Sequence, residues 1–491
     1  MSGEAGADPL RRAAERRPGA LAADGPDSDW SYRRLDREAG AVARRVRRRL
    51  GSEAERRRAP RVAAFLPRRP SGLAALHGVP RAGAVLAPLQ DGWTGRELTG
   101  YLRRLQPDLV IGPRASLERA EAADPGTPRM PLRPAGGAGD VADTPAARAS
   151  GDHSLIATSG STGAPRPVRL TWDNHLASAR GAAERLDLRP GDRWHASLSL
   201  AHVGGLALAV RAAVVGSAVV LRGEFDAPAL DRLVSRGRVT HASLVPVMLR
   251  RLLDVRDDRP LPDTTRAFLV GGAGTPSGLL ERALAAGVPA ALTYGLTEAC
   301  SQVATATPGL VRRKPGVAGP PLPGVRLRTG EDGEILVRGP TVSPGYLDGE
   351  PVTSDDGWLR TGDAGRVDDD GHLWVTGRLS TRIVTGGTTV HPAEVEEALR
   401  AHPGVREAVA LGVPSDDWGE VVGAAVVAAP DGPDRRQLER HCRRRLSTPR
   451  RPRRWALLDE LPRLPGGKPD RERLRRMLED DDGTPVVDRS R

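Results

Sequence analysis

A run of serine, threonine and glycine residues follows a short apolar segment in the first half of the chain. Its members are Thr158, Ser159, Gly160, Ser161, Thr162 and Gly163. Hydroxyl groups donate to phosphate oxygens, and glycine lets backbone N–H groups converge on an anion. The run lacks the Walker pattern, and a Gly/Ser loop by itself is more often a surface turn. It predicts a polyphosphate-binding loop only together with the motifs that follow.

Two further motifs suit a nucleotide that is bound together with magnesium. Thr297 and Glu298 end the apolar run 292–296, where a hydroxyl and a carboxylate can meet phosphate and Mg²⁺. Asp363 lies at a turn, where its carboxylate can accept hydrogen bonds from two ribose hydroxyls. Each residue alone also fits an ordinary cap or turn.

Lysine is rare in this chain. Lys314 and Lys468 are the only lysines among 74 basic residues. Because lysine and arginine differ in pKa and geometry, each lysine in such a composition is informative. Lys468 lies in the Gly-rich stretch 461–471, which favours a mobile loop that carries a positive charge. The alternative is a solvated surface lysine.

Sequence periodicity indicates the elements that position these residues. Strand-like apolar runs at 61–66, 109–111 and 213–221 alternate with helical stretches such as 35–50, which favours an α/β sheet architecture. Residues 125–150 lack periodicity and predict a mobile loop or insertion.

The last third of the chain has a different pattern. Short strands and turns over 325–375 predict a β subdomain. A helix that opens at His391 and Pro392, followed by strands at 406–413 and 421–428, predicts a small α+β unit.

Composition restricts the classes of function. The net charge of +12 comes almost wholly from arginine spread over the 491 residues, without the signature of a nucleic-acid reader, so we expect no nucleic-acid partner. No apolar run reaches the length of a membrane span, and the first 17 residues are too charged for a signal peptide, so we expect a cytoplasmic protein. Cys300 and Cys442 show no metal-ligand spacing. The oligomeric state is left open, a homo-oligomer included.

The order and separation of these motifs resemble the adenylate-forming superfamily, which comprises acyl-CoA synthetases, peptide-synthetase adenylation domains and beetle luciferases. The resemblance runs from the Trp30 segment to Lys468. It implies an α/β fold in which a large N-terminal domain of two α/β sheets plus a small β-barrel subdomain precedes a small mobile α+β domain. The implied bounds are 1–377 for the N-terminal domain, about 320–377 for its β subdomain, 378–381 for a hinge and 382–491 for the C-terminal lid.

The resemblance also implies roles for individual residues. Residues 158–163 would bind the β- and γ-phosphates of ATP, Thr297 the α-phosphate, and Glu298 the Mg²⁺ ion, while Arg166 would also belong to the nucleotide site. The residues implied for the rest of the nucleotide are Gly271, Gly272, Ala273, Tyr294 and Gly295 at the adenine, and Asp363 and Arg378 at the ribose. Lys468 would bridge the carboxylate and the α-phosphate, which suits a reaction between two anions. Gly386 and Gly387 would let the pantetheine arm of coenzyme A pass.

Two segments, 294–305 and 198–206, look most like those of the o-succinylbenzoate:CoA ligases of menaquinone biosynthesis. That likeness implies that Ser301, Gln302 and Thr305 contact the acid, and that His202 lines the carboxylate being activated. On spacing alone, His202 also fits a buried structural histidine, and Ser301 and Gln302 also fit helix capping.

Four positions depart from the superfamily pattern. Arg166 and Pro167 stand where Lys-Gly is usual, which keeps the charge but stiffens the loop. Ser380 replaces the usual Asp or Lys of the hinge, and His391 replaces a frequent tyrosine.

Three alternatives remain open at this point. The chain could activate another aryl or fatty acid, or deliver the acyl group to a carrier protein in place of CoA. A non-catalytic nucleotide-binding protein is the third, and the joint presence of Lys468, Glu298 and Asp363 argues against it.

We predict that Lys468→Ala abolishes acyl-adenylate formation but spares thioester formation from supplied acyl-adenylate, because the lysine offsets charge only in the first step. Pyrophosphate release and thioester yield measure the two steps separately. An equal loss in both steps would show that this role of Lys468 is wrong.

Overall fold

The computed structural model describes residues 8–51, 58–133, 151–158, 165–257, 259, 261–385, 388–415, 417–463 and 469–479. The helices are α1 Pro9–Arg16, α2 Tyr32–Leu50, α3 Pro70–Arg81, α4 Gly95–Leu105, α5 Arg114–Ala123, α6 Trp172–Arg185, α7 Val203–Val215, α8 Ala227–Ser235, α9 Pro246–Arg256, α10 Ser277–Ala285, α11 Pro308–Arg313, α12 Pro392–Arg400, α13 Arg435–Arg445 and α14 Arg471–Glu479. The strands are β1 Leu21–Asp24, β2 Asp29–Ser31, β3 Arg61–Ala64, β4 Val85–Pro88, β5 Leu109–Gly112, β6 Arg129–Pro131, β7 Asp152–Thr158, β8 Arg166–Thr171, β9 Arg193–His195, β10 Ala218–Val220, β11 His241–Leu244, β12 Ala267–Val270, β13 Ala290–Leu296, β14 Ser301–Ala306, β15 Arg326–Thr329, β16 Glu334–Arg338, β17 Gly345–Tyr346, β18 Leu359–Val367, β19 Leu373–Arg378, β20 Ile383–Thr385, β21 Thr388–Val390, β22 Val405–Ser415, β23 Gly419–Ala428 and β24 Arg454–Leu458.

Two large, mostly parallel sheets form the first part of the fold. One has the strand order β14-β13-β12-β11-β9-β10-β1-β2, and the other has the order β17-β8-β7-β4-β3-β5-β6. Apolar side chains from both sheets, such as Ile156 of β7 and Ala291 of β13, share one core. The predicted fold of two α/β sheets is confirmed.

Two smaller sheets follow along the chain. The β subdomain is a four-stranded antiparallel sheet in the order β15-β16-β18-β19. Strands β20 to β24 form the last sheet, which packs with α12, α13 and α14 around its own apolar clusters. This α+β unit agrees with the sequence, while the exact domain and hinge bounds stay predictions.

Three details of the sequence interpretation are corrected. Residues 213–215 belong to α7, because Gly216 ends that helix in a left-handed conformation (φ 81°), and the strand covers only 218–220. Within the predicted loop 125–150, Arg129–Pro131 forms β6, which pairs with β5. The predicted small barrel is an open ladder from β15 to β19 among the described residues.

Local sequence explains the helix starts near the site. Thr171 caps α6 and Asn174 completes the capping box, so the helix begins directly after β8. His202 stands at the N-cap position of α7, whose apolar residues are buried almost throughout. In the described part of the chain, no helix combines the length and apolarity needed to cross a membrane.

Candidate active site

The predicted phosphate loop is the connection of a β-hairpin. Strands β7 and β8 are antiparallel, Thr158 pairs with Arg166, and the Thr158 hydroxyl donates to the Arg166 carbonyl at 3.3 Å. The remaining loop residues lie outside the described residues: Ser159, Gly160, Ser161, Thr162 and Gly163. The structure therefore places both ends of the loop but leaves its phosphate contacts a prediction.

Arg166 is held at the base of this hairpin by two carboxylates and an aromatic ring. Its Nη2 lies 3.0 Å from Asp348 Oδ2 and 2.6 Å from Glu350 Oε2, and its guanidinium stacks 3.9 Å from the Tyr346 ring centroid. The Tyr346 hydroxyl in turn donates to Glu298 Oε1 at 3.2 Å. Arg166 and the predicted Mg²⁺ ligand are thus connected through Tyr346, which sequence reasoning missed.

Thr297 and Glu298 lie in a 3₁₀ turn that joins β13 to β14. The Glu298 side chain is partly buried. The burial of Tyr346 and the negative charge of Glu298 raise the pKa of Tyr346 to about 12, so the tyrosine hydroxyl stays protonated and remains a donor. A carboxylate linked through Tyr346 to the base of the β7–β8 hairpin suits the predicted Mg²⁺ role, because proteins bind this ion through one or two carboxylates plus substrate phosphates.

Gly295 allows the chain to fold back tightly after this turn. A Cβ at Gly295 would lie 1.7 Å from the carbonyl oxygen of Ser301, and the β13–β14 register shifts between Tyr294 and Gly295. Cys300 and Ser301 have positive φ angles of 52° and 89°, which is strained for non-glycine residues. The requirement at Gly295 is therefore the absence of a side chain.

The predicted ribose residues form one hydrogen-bonded group. Asp363 of β18 pairs with Arg378 of β19, and Arg378 Nε lies 2.8 Å from Asp363 Oδ1. The Tyr294 hydroxyl donates to Asp363 Oδ2 at 2.7 Å. Burial raises the pKa of Asp363, while the Tyr294 hydrogen bond and the Arg378 charge oppose that shift. Because a carboxylate accepts about four hydrogen bonds, Asp363 keeps capacity for two ribose hydroxyls.

The predicted adenine segment follows β12 at its carboxyl end. A Cβ at Gly271 would lie 2.6 Å from Thr293 Cγ2, and Gly272 has a φ of 77°, so both positions favour glycine. Ala273 is exposed next to them. Since β12 pairs with β13, this segment lies beside the strand that carries Tyr294.

Three of the residues predicted to bind the acid, Ser301, Gln302 and Thr305, belong to strand β14. Gln302 and Thr305 are buried, Ser301 is partly buried, and Gln302 Nε2 donates to Thr305 Oγ1 at 2.9 Å. Helix capping is therefore wrong as an account of Ser301 and Gln302. His202 is exposed at the start of α7, which excludes the alternative of a buried structural histidine.

Arg211 of α7 is a buried cation that sequence reasoning missed. Its Nη2 donates to Gln302 Oε1 at 2.6 Å, its guanidinium lies 4.8 Å from the Trp194 ring, and its Nε has no hydrogen-bond partner among the described residues. Burial lowers the pKa of Arg211 to about 10, so it is still charged at neutral pH. No carboxylate of the described residues pairs with it. A single charge inside the apolar run 206–215 was the available signal.

Residues predicted to act from the C-terminal unit are not placed. Gly386 and Gly387 connect β20 and β21, and Lys468 lies between Arg463 and Pro469, which pair in an isolated bridge. These three residues lie outside the described part of the chain, so their roles stay predictions.

The other lysine has a structural role. Lys314 Nζ lies 2.9 Å from Asp368 Oδ2 and 2.5 Å from Asp370 Oδ2, and His372 is adjacent. These three side chains have the spacing of a metal site, but the ammonium group already lies among them.

Comparison with known proteins identifies the class. The AMP-binding enzyme family matches residues 10–347, its C-terminal domain matches residues 394–468, and the chain therefore belongs to this family of adenylate-forming ligases. It is 41% identical over 333 residues to the 2-succinylbenzoate--CoA ligase of Bacillus licheniformis. This alignment covers 65% of this chain and 69% of that protein.

Solved structures lead to the same group. The o-succinylbenzoate CoA synthetase of Bacillus subtilis in complex with the acyl-adenylate intermediate OSB-AMP aligns with a TM-score of 0.87 and 29% identity, over 96% of this chain and 98% of that one. The same enzyme with ATP and magnesium ion aligns with a TM-score of 0.85 and 29% identity, over 96% and 99%.

We predict that Gly295→Ala lowers the rate of acyl-adenylate formation at least about 100-fold, because the added methyl must displace Ser301 and with it the predicted acyl-binding residues of β14. Gly278→Ala, where a Cβ meets open space in α10, is the matched control and should keep full activity. Pyrophosphate release measures both variants, and an active Gly295→Ala enzyme would contradict this account.

Proposed function

We propose that this chain is a 2-succinylbenzoate:CoA ligase of menaquinone biosynthesis, which forms an acyl-adenylate and pyrophosphate from ATP and then a CoA thioester and AMP. The observation that carries the choice of acid is the buried Arg211 beside Gln302 and Thr305. The acid has two carboxylates, and activating one leaves the other to be held. A guanidinium that lacks a protein carboxylate supplies the opposite charge for it.

The geometry supports a division of labour in the first step. The β7–β8 loop would bind the β- and γ-phosphates, Thr297 the α-phosphate, and Asp363 with Arg378 the ribose. Glu298 would hold Mg²⁺, which offsets phosphate charge when bound. His202, at the start of α7, would face the carboxylate that attacks the α-phosphate, while Arg211 lies nine residues further along the same helix, a rise of about 13.5 Å. Both residues would thus be positioned by the same helix.

The second step would involve the C-terminal unit. Lys468 would serve adenylation, and Gly386 and Gly387 would then border the thiol channel, with CoA as the acceptor. Location in the cytoplasm remains a prediction from the sequence. Activation of another aryl or fatty acid is the second candidate, and a monocarboxylic acid would leave Arg211 uncompensated.

The test is thioester formation with Mg-ATP and CoA, followed by mass spectrometry, with 2-succinylbenzoate compared against benzoates and fatty acids. We expect 2-succinylbenzoyl-CoA and AMP in clear excess over every other product. Turnover of a different acid would support the ligase class but contradict 2-succinylbenzoate as the substrate. Formation of acyl-adenylate without thioester would favour a carrier protein as the acyl acceptor.

We predict that Arg211→Met lowers kcat/KM for 2-succinylbenzoate about 100-fold, because the variant lacks the guanidinium that would pair with the buried ring carboxylate of the substrate. The matched substrate is 4-oxo-4-phenylbutanoate, which lacks the ring carboxylate and should lose little activity in the variant. Steady-state kinetics on both acids measure this selectivity. Equal losses on the two acids would show that Arg211 does not contact the ring carboxylate.

A further inference from the structure

A chain of hydrogen bonds links the phosphate hairpin to the strained turn of the acyl pocket. His175 of α6 lies between two partners: its Nε2 is 2.9 Å from Ser154 Oγ on β7, and its Nδ1 is 3.3 Å from Cys300 Sγ. All three side chains are buried. Ser154 stands four residues before Thr158, and Cys300 stands between Glu298 and Gln302.

The backbone of Cys300 is held from the same helix. The Ser178 hydroxyl, one turn after His175, donates to the Cys300 carbonyl at 2.7 Å. Helix α6 therefore contacts both the side chain and the carbonyl of a residue with a positive φ of 52°. Residues in such conformations persist only where their surroundings over-determine them. These two bonds act together with the hydrogen bond from the Cys300 N–H to the Thr297 carbonyl at 3.0 Å.

The ring of His175 is also fixed in orientation. His153 of β7 packs edge-on against it with a centroid distance of 4.6 Å and against Trp172 at 4.3 Å. Burial lowers the pKa of His175 to about 3, so the ring is neutral, with one nitrogen donating and the other accepting. Its bonds to Ser154 and Cys300 are thus coupled through a single tautomer.

We propose that His175 is a positioning residue that sets the alignment of the ATP phosphates relative to the carboxylate that attacks the α-phosphate. It does so by joining the β7–β8 hairpin, through Ser154, to the Cys300 turn. Neither Ser154 nor Cys300 contacts substrate in this proposal, and both act through the placement of the loop and the pocket wall. The inference rests on the proposed adenylation function but not on which acid is activated.

The test is a double-mutant cycle of Ser154→Ala and Cys300→Ala, scored by kcat and KM for acyl-adenylate formation on any acid that the wild type activates. Each single variant should lower kcat about tenfold with little change in KM for ATP. The double variant should be no slower than the singles, because either change already breaks the coupled chain. Cys300→Ser, which keeps a donor, should recover most of the rate.

Two further variants separate alignment from packing. Cys442→Ala removes a buried cysteine from the last sheet's core and should leave kcat unchanged. His175→Asn keeps a polar atom near the Nδ1 position but cannot reach Ser154, and should match Ser154→Ala. Urea unfolding is measured for all variants.

Additive losses in the cycle, losses that follow the change in unfolding free energy, or no loss at all would overturn the proposal. Inactivity of the wild type on 2-succinylbenzoate, together with activity on another acid, discards only the proposed substrate. The cycle is then scored on that other acid.

Discussion

The close approach of Gly295 to the Ser301 carbonyl is the constraint around which the site is built. It lets β14 return along β13 after a turn of only a few residues, so that Glu298 and Gln302 belong to one continuous segment. The predicted phosphate side and the predicted acyl side of the site are therefore positioned by the same backbone. Chemistry that joins an acid to a phosphate needs such positioning, since a small displacement of either reactant lowers the rate steeply.

Charge is distributed unevenly across this segment. The carboxylates of Glu298 and Asp363 lie on the predicted nucleotide side, and each accepts a hydrogen bond from a tyrosine hydroxyl. On the acyl side, Arg211 is buried beneath Trp194 with an amide oxygen as its polar partner. An isolated buried charge is costly, and a ligand carboxylate would offset that cost on binding. If Arg211 binds the acid as proposed, it would favour a dicarboxylate over competitors that lack the second carboxylate, which is specificity by electrostatics.

The sequence predicted the motifs and most elements because both depend on local order. The strand before the phosphate loop, the helix after His391 and the paired strands near the end all follow periodicity and capping. The strand assigned to 213–221 failed because apolar runs do not distinguish a buried helix from a strand, and β6 was missed because three residues carry no period. Tyr346 and Arg211 were missed for another reason: their contacts join residues 48 and 91 positions apart.

The two lysines show how far a compositional argument reaches. A chain that replaces nearly every lysine with arginine keeps lysine where a compact ammonium group is required. At Lys314 that requirement is structural, since one nitrogen lies among Asp368, Asp370 and His372, where a planar guanidinium has no equivalent geometry. Rarity therefore marks a site with a geometric demand, and the neighbours decide whether that demand is structural or catalytic. For Lys468 the predicted neighbours are the nucleotide and the acid, so measuring the two half-reactions separately is the test of its role.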